Sequence, residues 1–206
     1  MPAEDRPQIT LITPPAFDLE VFPARLARVL DTTGIACVRL SLATRDEDAL
    51  SRAADACREV THARDVAIVI DSHVLLVERL GLDGVHLTDG ARSVRKIRKD
   101  LGADAIIGAF CGASRHDGMT AGEAGADYVA FGPVSPSLLG TDAPAPRDLF
   151  DWWSDMIELP VVAEGGLSAD RIADLAAVTD FFAIGDEIWR EDDAVAALTR
   201  LIAPLG

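Results

Sequence analysis

Nowhere does this chain of 206 residues carry an apolar run approaching the ~20 residues that a membrane-spanning helix needs. Its first fifteen residues, MPAEDRPQITLITPP, have acidic side chains early and no long apolar stretch, so no secretory leader is expected. Cysteine is scarce. Cys37, Cys57 and Cys111 are odd in number, far apart and without metal-ligand spacing, which speaks for buried thiols in a reducing compartment. Basic residues are in deficit, with 19 Lys and Arg against 34 Asp and Glu and a net charge of −15. That balance opposes a general nucleic-acid role, because phosphate backbones need Lys and Arg. It opposes adhesion to an anionic membrane surface as well. A cytoplasmic protein with a small-molecule partner is the expectation.

What the chain does have is apolar sequence, 49% of its residues, enough for one domain over 1–206 with a large core. Apolar runs alternate with amphipathic segments from end to end. Strands are expected at 8–13, 35–42, 66–70, 84–87, from 105 to 109, and at 128–131, 161–164 and 181–184. Between and after them, helical spacing covers 19–30, 46–60, 74–80, 93–101, 119–124, 149–156, 169–176 and 193–202, with Ser168 as an N-cap. Eight strand–helix units with no two strands in succession predict an α/β fold, a single (β/α)8 TIM barrel.

Two segments locate a site. GADYVAFGPV (125–134) and PVVAEGG (160–166) are short apolar runs that end in glycine, as strands buried on both faces do where they deliver a loop. In parallel barrels that C-terminal end is where ligands bind. Gly165 and Gly166 ahead of Ser168 read either as a phosphate cradle or as a tight turn that only glycine permits. Glu164 and Asp186 flank the cradle and would repel a dianion unless a cation intervenes. They point to a cationic or hydroxylated ligand, or to a metal site with Asp71.

Arg39 lies in an apolar strand and needs a partner there, either a carboxylate such as Asp71 or an anionic ligand. His86 in GVHL reads mainly as a packing and hydrogen-bonding residue, and His116 as a loop histidine on the functional side. Arg92, Arg95, Lys96, Arg98 and Lys99 read as a solvated helix face. Trp152 and Trp153 are expected to pack on the barrel, or on a second copy of the chain in a homo-oligomer.

Taken in order, DGVHL (83–87), AIIG (105–108), ADYVAFGPV (126–134) and PVVAEGG resemble the thiamine phosphate synthase and thiazole tautomerase (TenI-like) superfamily of small barrels, over nearly the whole chain. The resemblance implies thiamine biosynthesis. The synthase joins a pyrimidine diphosphate to a thiazole phosphate, with Mg²⁺ stabilising the departing diphosphate. By this resemblance Arg39 and Asp71 would be the catalytic residues, and Asp71 with Asp89 would hold Mg²⁺. Ser137, Glu164, Gly165, Gly166, Gly185 and Asp186 would line the substrate.

The departures from the family pattern are specific. Its Gln-x-x-x-Lys falls on Arg39 and Ala43, and the Asn of Asn-Asp is Ile70. Its second metal-binding Asp is Ala91, with Asp89 close by, and the ligand-binding Ser of the fifth strand is Phe110. Thr-Pro-Thr-Lys becomes Ser137, Leu138, Leu139 and Gly140, while Val-Ser of the eighth strand falls on Gly185 and Asp186. The tautomerase imidazole position is Pro133. A diverged active site is therefore expected, and a non-catalytic or repurposed barrel that binds a thiamine-related metabolite or a protein partner is the alternative.

Overall fold

In the computed structural model, which describes residues 6–136 and 143–206, eight parallel strands close into a barrel in sequence order. They are β1 (Gln8–Ile12), β2 (Ile35–Leu40), β3 (Ala67–Asp71), β4 (Gly84–Leu87), β5 (Ile106–Phe110), β6 (Tyr128–Phe131), β7 (Val161–Glu164) and β8 (Phe181–Ile184). Closure comes from β1 pairing with β8, Gln8 opposite Phe181. The helices are α1 (Phe22–Leu30), α2 (Glu47–His62), α3 (Val74–Leu80), α4 (Val94–Leu101), α5 (Arg115–Ala124), α6 (Arg147–Met156), α7 (Ala169–Leu175), α8 (Asp186–Trp189) and α9 (Ala194–Leu201). A single (β/α)8 TIM barrel is thus the fold.

The strands are largely apolar on both faces because they serve two different interiors. Leu11, Val38, Ile68, Val85, Ile107, Val129, Val161 and Phe182 belong to the large core between barrel and helices. A second, smaller cluster of Ala130, Val162 and Ala183, packed by Ile12, Phe110, Tyr128 and Phe181, fills part of the barrel. The remaining interior is polar and holds Arg39, His86 and Glu164. Small residues make that possible. A Cβ on Gly108 would lie 2.0 Å from Cζ of Tyr128, so the phenol ring occupies the space that Gly108 leaves.

The opposite end of the barrel is fastened by a repeated device. Asp83, Asp127 and Asp180 stand just before β4, β6 and β8. Each backbone N–H donates to a carbonyl on the preceding strand, of Ile68, Ile107 and Val161 respectively. Each carboxylate accepts the N–H of that same residue, at 2.7, 2.7 and 2.8 Å. Arg98, one of the cationic residues on α4, adds to this floor through the carbonyls of Ala105 and Gly125, at 2.7 and 2.9 Å. It is a structural clamp, while Arg92, Arg95, Lys96 and Lys99 are exposed as a solvated face.

Local signals explain the helix starts. Ser114 accepts from the N–H of Asp117 and opens α5 at Arg115, four residues ahead of the apolar spacing from which its start was expected at 119. Ser168 caps α7 by accepting from the N–H of Arg171. Trp153 is buried on α6 and donates Nε1–H to the Leu159 carbonyl, and Trp152 packs beside it under the Arg115 guanidinium. The eighth unit differs from expectation. A short helix, α8, intervenes between β8 and α9, and four residues are too few for a hydrophobic period to register.

Candidate active site

The C-terminal mouth of the barrel holds a charged chain that begins at Arg39. This residue sits inside the barrel on β2, only 8% exposed. Its guanidinium grips Glu164 on β7 with two hydrogen bonds, Nη1 to Oε2 at 2.7 Å and Nη2 to Oε1 at 3.2 Å. On its other side Nε lies 3.5 Å from Oδ1 of Asp71, at the end of β3. Among the described residues neither Nε nor that Oδ1 has a hydrogen-bond partner. Burial works against the Arg39 charge, but Glu164 and Asp71 outweigh it and push its pKa up. Burial also raises the Asp71 carboxyl, against the pull of Arg39.

The chain continues downward into the barrel. Arg39 Nη1 lies 2.9 Å from Nε2 of His86, and Nδ1 of His86 lies 2.9 Å from the Tyr128 hydroxyl. A guanidinium can only donate, so Nε2 is the acceptor and Nδ1–H donates to Tyr128. His86 is therefore neutral. Burial first, and the Arg39 charge second, hold its pKa well below 6.5. Tyr128 is pushed well above its usual range by burial. These two rings are the barrel's inner packing, stacked with centroids 5.7 Å apart.

Beside this chain a cleft of about 1090 Å³ opens between the loops that follow β1, β6, β7 and β8. Glu164, Gly165, Gly166, Gly185 and Asp186 all line it, as do Ser41 and Arg190. Gly165 and Gly166 have φ of +80° and +74°, consecutive left-handed conformations that a side chain would strain. Their carbonyl side is fixed by Val134, whose N–H donates to both Glu164 and Gly165.

The two carboxylates at the cradle are not bare. Glu164 is turned inward to Arg39, and Asp186 accepts from Arg190 Nη2 at 2.7 Å. Glu187, which no sequence pattern singles out beyond its nearness to Gly185, accepts the backbone N–H of Gly185 at 2.9 Å and of Leu167 at 3.1 Å.

The remaining expected residues lie elsewhere. Asp89 lines a neighbouring hollow of about 770 Å³ with Phe110, Ala91 and His116, and its Oδ2 accepts from the Ser93 hydroxyl at 2.6 Å. Ser137 and its neighbours to 142 lie outside the described residues. Among the described residues no three His, Cys, Asp or Glu side chains converge as a metal cage. Mg²⁺ does not require one, since it commonly takes one or two carboxylates together with substrate phosphates and water. Asp71 fits that use through its unpartnered oxygen, and the cluster around it has two carboxylates for one guanidinium.

Known proteins share both this fold and much of this sequence. Residues 9–188 match the family model described as thiamine monophosphate synthase. A thiamine-phosphate synthase of Rhodospirillum centenum is 41% identical over 92% of this chain and 93% of its own. One of Erythrobacter litoralis is 39% identical over 95% of each. Among solved structures, thiamine phosphate pyrophosphorylase from Pyrococcus furiosus superposes with a TM-score of 0.82 at 21% identity, covering 96% of this chain and 95% of the other, which speaks to the fold. With a family model matched across the barrel from β1 to α8 and relatives this similar over nearly their full length, the chain belongs to the thiamine monophosphate synthase family.

Proposed function

We propose that the protein works in thiamine biosynthesis as a synthase-type barrel that seats a phosphorylated heterocycle in the glycine-lined cleft and joins it to a pyrimidine diphosphate. The observation that carries this reading is the Arg39–Asp71–Glu164 cluster set against that cleft, with one more carboxylate than guanidinium. Excess negative charge at the mouth admits an anionic substrate only together with a cation.

Asp71, with Asp89 from the neighbouring hollow, would hold Mg²⁺. When bound, the ion neutralises charge on the departing diphosphate. Arg39 holds Asp71 and Glu164 in place. Because its Nη1 and Nη2 are taken by Glu164 and His86, its charge acts on a diphosphate over distance, across the two carboxylates. Gly165, Gly166 and Gly185 let the phosphate of the heterocycle approach the backbone, and Arg190 gives that end of the cleft a cation once it leaves Asp186. Ser137 is retained as a contact on the sequence alone.

A second reading is a barrel that binds the ligand without turning it over. It is favoured by the commitment of Arg39 to the chain's own carboxylates and by Ala43 where the family has lysine. Incubating purified protein with the pyrimidine diphosphate, the thiazole phosphate and Mg²⁺ separates the two. Thiamine phosphate above an Asp71→Ala control supports the synthase. Thermal stabilisation by the thiazole phosphate without product supports the binder.

A further inference from the structure

Among the described residues four carboxylates crowd this side of the barrel mouth, and one of them is answered differently. Asp71 and Glu164 face Arg39, and Asp186 faces Arg190. Glu187 is held by backbone: Oε2 accepts the N–H of Gly185 at 2.9 Å and Oε1 the N–H of Leu167 at 3.1 Å. The two amides come from different loops, after β8 and after β7, and both residues line the same cleft. Two amides converging on one pair of anionic oxygens is an anion seat by its donor geometry. In barrels of this kind the loops after the seventh and eighth strands frequently take a phosphate. Here the chain's own side chain sits in that position.

We propose that Glu187 is an internal occupant of the anion seat: it holds the two loops at anion-binding spacing while the cleft is free, and it must leave when a phosphate enters. The inference rests on reading the cleft as the seat of a phosphorylated ligand. Its consequence is selectivity, because a weakly held anion does not displace a tethered carboxylate and a well-anchored phosphate ester does.

The surrounding structure permits the exchange. Ile188 and Trp189 are buried, and Trp189 donates Nε1–H to the Ile12 carbonyl at 2.6 Å, so α8 is pinned to the barrel. Glu187 itself is only half-buried. A side-chain rotation frees both amides with no movement of the helix.

Inorganic phosphate is the probe, titrated into wild type, Glu187→Ala and Glu187→Gln while the backbone amide resonances of Leu167 and Gly185 are followed. Circular dichroism checks that each variant is folded. Glu187→Ala is expected to bind phosphate at least tenfold tighter than wild type with shifts at both amides, and Glu187→Gln to fall between. Equal or weaker affinity in both variants, with the same two amides shifting in wild type, overturns the role of Glu187 and leaves the seat standing. Amides that stay unshifted in all three proteins overturn the reading of the cleft itself. Should Glu187→Ala fail to fold, Glu187→Gln and the wild-type titration still decide.

Discussion

Arg39 on β2 and Glu164 on β7 meet across the barrel through two hydrogen bonds, at 2.7 and 3.2 Å, and this pair sets the electrostatics of the whole mouth. Both side chains are nearly out of solvent, 10% and 12% exposed. Losing one partner strands the other. Arg39→Met is expected to destabilise the fold by about 3–5 kcal/mol, the range for breaking a buried pair. Arg39→Met combined with Glu164→Gln is expected to recover part of that loss, since the stranded charge is gone. Urea denaturation measures both, and a double variant no more stable than Arg39→Met would show that the pair is not what answers the Glu164 charge.

His86 gives the protein a defined pH response. Its folded pKa is held well below 6.5 by burial and by the Arg39 charge. As pH falls through 6.5 the unfolded chain takes up a proton at His86 and the folded protein does not. The stabilisation from keeping this imidazole neutral is therefore complete above that pH and is lost as pH drops, by about 1.4 kcal/mol per pH unit for one proton. Stability measured from pH 7 down to about pH 5 should fall less steeply in His86→Gln than in wild type. Equal slopes would contradict the assignment.

Asp127 serves the floor of the barrel, far from the mouth, where it accepts from the N–H of Ile107 at 2.7 Å and pairs with Arg98. Asp127→Ala leaves that buried N–H without an acceptor and is expected to cost about 1–3 kcal/mol. Phosphate affinity should not change, because the N-terminal end of such barrels serves stability. A loss of ligand affinity at unchanged stability would refute this division of labour.

The three thiols should be inert in the folded protein. Burial pushes Cys37, Cys57 and Cys111 up to about 12. At neutral pH that leaves on the order of a thousandfold less thiolate than a free cysteine has. Reaction with Ellman's reagent is expected to be slow in buffer and fast in urea. A thiol that reacts as quickly in the native state would contradict these raised values.

The sequence made the barrel legible because parallel strands buried on both faces read as unbroken apolar runs, and eight of them alternate with amphipathic segments. It also located the mouth, through Gly165 and Gly166, whose left-handed φ values match the turn expected of them. Arg39 is legible as a charge in need of a partner, with Asp71 as a candidate. Glu164 reads from sequence as an anion beside the cradle; it does line the cleft, and its carboxylate turns into the barrel toward Arg39. Pairing across a barrel joins residues more than a hundred positions apart, and no local pattern encodes it. Glu187 and the Asp83, Asp127 and Asp180 staples are not legible in sequence for a related reason. Their partners are backbone N–H groups, which every residue carries and no sequence advertises.

Product formation is the most direct test. Purified protein supplied with the pyrimidine diphosphate, the thiazole phosphate and Mg²⁺ is followed by chromatography for thiamine phosphate, beside Asp71→Ala. Product that accumulates with wild type and falls at least tenfold with the variant is the expected result. No product above the Asp71→Ala level, from a folded protein that the thiazole phosphate still stabilises, would contradict a working synthase and leave a barrel that binds without turnover.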